Sequence, residues 1–358
     1  MNDMKEKILV AMSGGVDSAA TAILMKNQGF NVTGVTMKLY SENEVITDVN
    51  SGVSNTDIDD AKRLSSLLGI EHLVVSFGDS FRCSVIKDFI DAYKAGSTPN
   101  PCVECNRTIK FGKLFDYAAS NGFNKLATGH YATVQKDPCG RFIIKKAKDK
   151  SKDQSYVLWS LSQEVLSSVI MPLGEYSKSE IREMVGQLCK ETAAKSDSQD
   201  ICFIPNGDYA SFIKRNTDCD FPKGKFIDVN GNVLGEHDGI IKYTVGQRKG
   251  LGIALGRPMF VKEKDVINNT VTLCDNDELF SKRLTANRLN LIACDALNQP
   301  TRLTAKIRYK HGDAAATVTQ IDENRMSVEF DEPQRAIAKG QSVVLYDGDT
   351  LVGGGIIE

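Results

Sequence analysis

Three cysteines and one short glycine-bearing stretch are the residues whose types and spacing could do chemistry. Cys102 and Cys105 form a Cys-x-x-Cys pair within Asn100-Pro101-Cys102-Val103-Glu104-Cys105-Asn106-Arg107-Thr108-Ile109-Lys110-Phe111. In a chain with no secretion signal, that spacing reads as metal or cluster ligation, a redox dithiol, a catalytic cysteine with a neighbour, or coincidence. Pro99 and Pro101 argue against a helix before Cys102, so a helix is predicted from near Cys105 to residue 120. A thiolate at a helix N-terminus is favoured by the dipole, and Arg107 and Lys110 stand nearby in sequence. Cys202 lies in the apolar run Ile201-Cys202-Phe203-Ile204, which by itself reads as core.

The second feature is Ser13-Gly14-Gly15-Val16-Asp17-Ser18. It follows the apolar run Lys7-Ile8-Leu9-Val10-Ala11, a predicted buried strand. It precedes residues 19–26, whose alanines, leucine and apolar spacing predict a helix. Strand, glycine turn and helix start make an anion site, because backbone N–H groups point outward and glycine permits close approach. No Gly-x-x-x-x-Gly-Lys-[Ser/Thr] string occurs, so this is not a Walker loop. Asp17 reads either as a group positioning Mg²⁺ or the loop backbone, or as a carboxylate favoured at a helix start.

The elements that must position these residues follow in order. Strands are predicted at residues 31–38 and 72–77, and helices at 57–68 and 79–95; residues 41–55 read as a polar surface loop. Alternating strands and helices predict a doubly wound parallel sheet with ligand at the strands' carboxyl ends. Residues 131–146 read as a hairpin turning at Asp137-Pro138-Cys139-Gly140, and Ser177-Lys178-Ser179-Glu180 as a capping box. Beyond Pro205 glycine and alternating patterns take over, with a hairpin about Asn230-Gly231-Asn232 and short alternating strands from about Thr285 that suggest a small β-barrel. The expected organisation is therefore α/β: a catalytic domain at 1–205, a central mainly-β domain at 206–284 and a C-terminal β-barrel at 285–358.

With 358 residues, 41% hydrophobic and 25% charged, the composition is that of a soluble globular protein. No stretch reaches the roughly 20 apolar residues of a membrane helix, so no membrane partner and a cytoplasmic location are expected. Nine cysteines argue against a disulfide framework. The net charge of −2 announces no nucleic-acid partner, which would need a local basic surface. Arg302, Lys306, Arg308, Lys310 and His311 offer one, with Lys306, Arg308 and Lys310 on one face if the strand continues.

The glycine loop resembles the pyrophosphate loop of the N-type ATP pyrophosphatases. Further strings resemble the tRNA-specific 2-thiouridylase family: the Asn100–Phe111 string, Ala127-Thr128-Gly129-His130-Tyr131, Lys152-Asp153-Gln154-Ser155-Tyr156 (read as a helix start), Pro172-Leu173-Gly174-Glu175-Tyr176, Asp197-Ser198-Gln199-Asp200-Ile201-Cys202-Phe203-Ile204 and Tyr243-Thr244-Val245-Gly246-Gln247-Arg248-Lys249-Gly250-Leu251-Gly252.

The resemblance implies ATP-dependent 2-thiolation of the wobble uridine in tRNA anticodons, by adenylation of the C2 oxygen and then sulfur transfer. It implies an ATP site at Ala11, Met12, Ser13, Gly14, Gly15, Val16, Asp17 and Ser18, with Met37 on the adenine and Gly129 beside the nucleotide. It implies Cys202 as persulfide carrier and Cys105 as nucleophile or resolving thiol, both accessible and with lowered pKa. Contacts to the anticodon stem-loop are implied at Asn100, Pro101, Cys102, His130, Lys152, Asp153, Gln154, Arg308, Tyr309 and Gln341, and a sulfur-relay protein or cysteine desulfurase as donor. Cys102 leaves a second route open, in which Cys102, Cys105 and Cys202 hold a 4Fe–4S cluster that delivers sulfide. Two other readings remain: a ligase adenylating a small molecule, and a non-catalytic RNA-binding or cluster protein.

Overall fold

A computed structural model describes residues 5–40, 55–197, 201–204 and 207–358. The polar segment at 41–54, with its expected closure over the site, lies outside the described residues. The chain begins β1 (Lys7–Ala11), α1 (Val16–Asn27), β2 (Asn31–Lys38), α2 (Asn55–Leu68) and β3 (Glu71–Ser76). With β4 (Lys125–Ala127) and β7 (Val169–Ile170) these strands form a five-stranded sheet in the order β3-β2-β1-β4-β7, and every pairing is parallel. Helices must therefore cover both faces. Leu9 packs into one core while Ile8 and Val10 pack into another across the sheet. The strand order reverses between β1 and β4, so the turn after β1 opens at the switch point where ligands bind such sheets.

The other sheets are mainly antiparallel. In the middle of the chain β8 (Gly224–Ile227), β9 (Val233–His237), β10 (Phe260–Asp265) and β11 (Thr270–Cys274) order as β10-β11-β8-β9. Beyond them β12 (Phe280–Leu291), β13 (Thr301–Lys306), β14 (Ala314–Gln320), β15 (Met326–Arg335), β16 (Ser342–Asp347) and β17 (Thr350–Ile357) close into a barrel through the β12–β17 pairing. The predicted hairpin β5 (Ala132–Lys136) and β6 (Phe142–Lys146) does not join the parallel sheet that precedes it. It extends the barrel sheet instead, β6 pairing with β17.

Several sequence expectations need correction. The cysteine helix starts at Pro101, not near Cys105: Asn100 Oδ1 accepts the Cys102 amide at 3.1 Å, and proline's missing N–H costs nothing in a first turn. Cys105 therefore stands a turn inside. The helical stretches at 78–94 and 101–120 each contain wide π-type turns, Arg82–Ile86 and Asn106–Lys113, bridged where the Ser84 and Thr108 hydroxyls meet at 3.1 Å. Lys152 to Tyr156 opens only a single 3₁₀ turn, Ser155–Leu158. β13 ends at Lys306, so Lys306, Arg308 and Lys310 do not share a strand face.

Two hydrophobic cores cross the domain junctions. One joins Phe81, Phe89, Cys105, Phe203 and Phe212 to Phe226, Ile241 and Tyr243 of the middle segment. The other joins Tyr156, Leu158 and Trp159 to Val344, Tyr346 and Leu351 of the barrel. The barrel is also clamped to the loop before the cysteine helix. The Thr98 amide donates to the Lys339 carbonyl, and Gln341 Nε2 donates to the Thr98 carbonyl, both at 2.8 Å.

Candidate active site

The turn after β1 is held by its own side chains. Ser18 is buried at the start of α1; its hydroxyl donates to the Gly15 carbonyl at 3.0 Å and accepts the Ser13 amide at 3.1 Å. Gly14 has φ +72°, and a Cβ there would stand 2.6 Å from the Asp57 carbonyl oxygen of α2, so only glycine fits. Gly129, after β4, lies against the first turn of α1, where a Cβ would be 3.0 Å from Asp17 backbone. Lys195 ties the turn from outside, donating to the Gly14 carbonyl at 3.2 Å and pairing with Asp60 at 2.5 Å. Met37 is partly buried at the end of β2, packed against two cores.

Asp17 is already engaged. Its Oδ1 accepts from Tyr131 Oη at 2.8 Å and from Lys178 Nζ at 2.7 Å, and Oδ2 accepts from Lys178 at 2.9 Å. Lys178 is buried just inside the Ser177–Glu180 capping box, which the structure forms in full. The same ammonium meets Asp197 at 2.9 Å, and Asp197 is met also by Lys152 and Arg182, each at 2.9 Å. Burial alone would raise the Asp197 pKa, but the hydrogen bonds and charges of Lys152 and Lys178 prevail and hold it at about 2. A network of opposite charges thus runs from the glycine turn to the segment that leads into Cys202. The sequence showed the cap of this helix but gave no reason to single out Lys178 or Asp197, whose meeting is a property of the fold. Asp17 is no ready Mg²⁺ ligand as it stands.

The cysteines gather at the other side. Phe203 and Ile204 are 2% and 1% exposed, wedged among Phe81, Phe89 and Phe212, while Cys202 between them and Ile201 is exposed. That alternation removes the core reading of Cys202: its neighbours anchor the chain and the residue itself stays exposed, its thiol set against the walls of the cleft. Tyr40 Oη secures the turn by donating to the Cys202 carbonyl at 2.9 Å. Cys102 is exposed and Cys105 is buried at 8% exposure.

The three thiols are near enough to act on one another electrostatically. Contrary to the lowered values expected, their pKa values rise. Burial pushes Cys105 up to about 11; at Cys102 and Cys202, exposed as residues, the protein crowded about the sulfur still desolvates a thiolate and raises the pKa, that of Cys202 to about 12 with the other two thiols adding to the rise. Lys110 opposes the rise at all three. Arg107, expected to help, turns instead to Glu104. Among the described residues no group of three or more Cys, His, Asp or Glu side chains is placed to hold a metal ion. The three cysteines as they stand do not form a cluster's ligand set.

Around this cleft the expected tRNA contacts divide. Asn100 caps the helix, Pro101 is buried in its first turn, and Cys102 faces out. Tyr309 is exposed, bears on Cys102 electrostatically, and packs edge-on to Tyr156 with Lys306 over both rings. Other residues are spent inside the protein. Asp153 is buried and accepts from the Ala147 amide and the Ser155 hydroxyl. Gln154 Oε1 accepts the Tyr131 amide, Lys152 pairs with Asp197, and Gln341 holds Thr98. His130 is buried against Phe111 with a pKa far below its ordinary value, its Nδ1 2.8 Å from the Thr128 hydroxyl. Arg308 turns inward to the Arg335 and Ala336 carbonyls.

A serine- and glycine-bearing turn between β1 and a helix start, at the switch point of a parallel sheet, defines a doubly wound α/β protein with a turn shaped to receive an anion. Residues 6–206 match the family described as tRNA methyl transferase HUP domain, 210–275 that described as tRNA methyl transferase PRC-barrel domain, and 281–357 that described as aminomethyltransferase beta-barrel domain. The tRNA-specific 2-thiouridylase MnmA of Clostridioides difficile is 46% identical over 356 residues, 99% of each chain. That of Acetivibrio thermocellus is 46% identical over 357 residues, again 99% of each. A 4-thiouridine synthetase solved with RNA and ATP is similar at a TM-score of 0.36 and 16% identity, over 59% of this chain and 50% of its own, a likeness too slight to argue from. The chain belongs to the family of tRNA-specific 2-thiouridylases.

Proposed function

We propose that this protein uses ATP to replace the C2 oxygen of the wobble uridine of tRNA with sulfur. The observation that carries the reading is the pairing of two sites within one frame: a phosphate-type turn after β1, and an exposed Cys202 grouped with Cys102 and Cys105. A carbonyl of a urea type is a poor electrophile, so adenylation must come first. The uridine C2 oxygen attacks the α-phosphorus of ATP and pyrophosphate leaves into the turn, whose N–H groups and α1 dipole receive its charge. The target base has to leave the anticodon stack to reach the cleft below Tyr309 and beside Asn100.

Sulfur then arrives as a persulfide on Cys202, handed over by a sulfur-carrying protein. The Cys105 thiolate attacks the Cys202 sulfur, a Cys105–Cys202 disulfide forms, and hydrosulfide departs. Hydrosulfide adds to C2 and AMP leaves with the oxygen. A thiol reductant restores both cysteines. Lys110 is the charge that favours the Cys105 thiolate against burial. No step is routed through an iron–sulfur cluster, because the cysteines do not converge on one ligand point, nor through a metal on Asp17, whose oxygens Lys178 and Tyr131 occupy. Among the described residues no helix is long and apolar enough to cross a membrane.

The test is nucleoside mass spectrometry of unmodified tRNA after incubation with the protein, Mg-ATP and a persulfide donor, without oxygen. A 2-thiouridine product that requires Cys105 and Cys202 is expected. Pyrophosphate release independent of tRNA, with no thiolated nucleoside, would return the protein to a small-molecule acceptor.

A further inference from the structure

The basic, glycine-rich stretch from Tyr243 to Pro258 has no part in the chemistry above. It folds as a loop with a fixed base. The Gly246 amide donates to the Val261 carbonyl at 2.7 Å, the Val261 amide to the Gln247 carbonyl at 3.0 Å, and the Thr244 amide to Gln247 Oε1 at 2.9 Å. Leu251 is buried in the same core as Phe203 and Met259. On this base Arg248 and Lys249 are exposed; Gln247 Nε2 donates to the Lys249 carbonyl at 3.0 Å, and among the described residues no hydrogen bond or ion pair engages either side chain. Gly250 and Gly252 flank Leu251 at φ +75°, the left-handed conformation that glycine adopts without strain.

The surroundings are concave and short of negative charge. Arg248 and residues 250–259 line an open hollow of about 540 Å³ with no carboxylate in its wall, although Arg257 reaches Asp275 at 2.8 Å. A second hollow, about 440 Å³, shares Gly250 and carries Lys214 and Lys242, with Asp208 as its acidic member. Asp238 stands 3.8 Å from Lys242. On the other side Gly246 abuts the barrel: a Cβ there would lie 2.8 Å from Ala336 Cβ and 3.5 Å from the Arg335 guanidinium. The Arg335 and Ala336 carbonyls hold Arg308, whose neighbour Tyr309 borders Cys102. The loop therefore packs on the barrel through the same residues, Arg335 and Ala336, that fix Arg308 beside Tyr309.

We infer that the loop at 246–257 is a second RNA-binding surface, which grips the sugar-phosphate backbone of the tRNA away from the nucleotide in the cleft. The assignment rests on the function proposed above. Unpaired cations on a chain of net charge −2 call for an anionic partner. An open hollow edged by the exposed Arg248 and joined at Gly250 to a second hollow carrying Lys214 and Lys242 fits a polyanion strand better than the apolar core of a protein interface.

The experiment measures binding of unmodified tRNA to the full chain by fluorescence anisotropy across a salt series, for wild type, R248A/K249A and R248E/K249E. Two lost phosphate contacts should weaken binding about tenfold or more at low salt and flatten the slope of log K against log salt by about 1.4 to 1.8. Circular dichroism and thermal unfolding should match wild type, since both side chains are exposed, and R248K should restore most of the affinity to an Arg248-deficient protein. Wild-type affinity and slope in both double variants would overturn the assignment alone. So would normal tRNA binding combined with a failure to accept sulfur from a donor protein, which would make the loop a protein-docking face. Absence of tRNA binding by the wild type would overturn the proposed function and this surface with it.

Discussion

The glycine turn after β1 and the cysteine cleft are built on opposite principles. At the turn every charge is answered: Asp17 by Lys178, Asp197 by three cations, Lys195 by Asp60. At the cleft three thiols influence one another electrostatically with Lys110 as the cation that bears on all of them, and desolvation keeps them protonated. The first site is preorganised for an anion that arrives complete. The second holds its thiols in the neutral form. A thiol at pKa about 11 is a poor target for stray oxidants and alkylating agents.

The largest effect that sharpens this contrast comes from removing a thiol. Cys105→Ala and Cys202→Ala should each lower 2-thiouridine formation by about 10³-fold or more, while ATP titrated by calorimetry binds as before. A loss of ATP binding in either variant would mean that the two sites are not separable.

Lys178→Met should act the other way round. It leaves Asp17 and Asp197 facing each other without their shared cation, a loss of about 3 kcal/mol in unfolding free energy, and it should weaken ATP binding while the alkylation rates of Cys105 and Cys202 stay unchanged.

Asp197→Asn tests the same network more gently, at about 2 kcal/mol. Because the folded pKa lies near 2, below the unfolded carboxylate value, this stability is full above about pH 4 and is lost as pH falls through about 2. Denaturant melts between pH 2 and 6 should therefore show a shallower acid limb in the variant than in wild type.

The smallest effect is Lys110→Met. Removing a charge that lowers the thiol pKa should slow iodoacetamide modification of Cys105 about tenfold at pH 8 and move its rise to higher pH. An unchanged pH profile would show that Lys110 does not reach the sulfurs.

Local signals carried much of the architecture. β1, β2 and α2 could be read because strand and helix periods repeat there in apolar residues, and the β8–β9 hairpin because Asn-Gly marks its turn. The capping box at Ser177 was visible for the same reason. What the sequence hid depends on chain segments far apart. Pro101 reads as a helix breaker until Asn100 is seen to cap behind it. Cys202 reads as core until Phe203 and Ile204 are seen to take the buried places. Asp153, Gln154 and His130 read as surface contacts, but each finds an internal partner. Lysines 178 and 195 look like ordinary surface charges, since nothing local announces that Asp17 or Gly14 waits for them.

The annexation of β5 and β6 by the barrel has a consequence for synthesis. While the chain is still being made, the catalytic half can complete its parallel sheet, but β6 presents an unpaired edge until β17 emerges to cover it. Loop 97–99 likewise waits for Lys339 and Gln341 before its hydrogen bonds close. A nascent chain arrested before residue 339 thus carries a sticky strand edge and an unsupported cysteine helix.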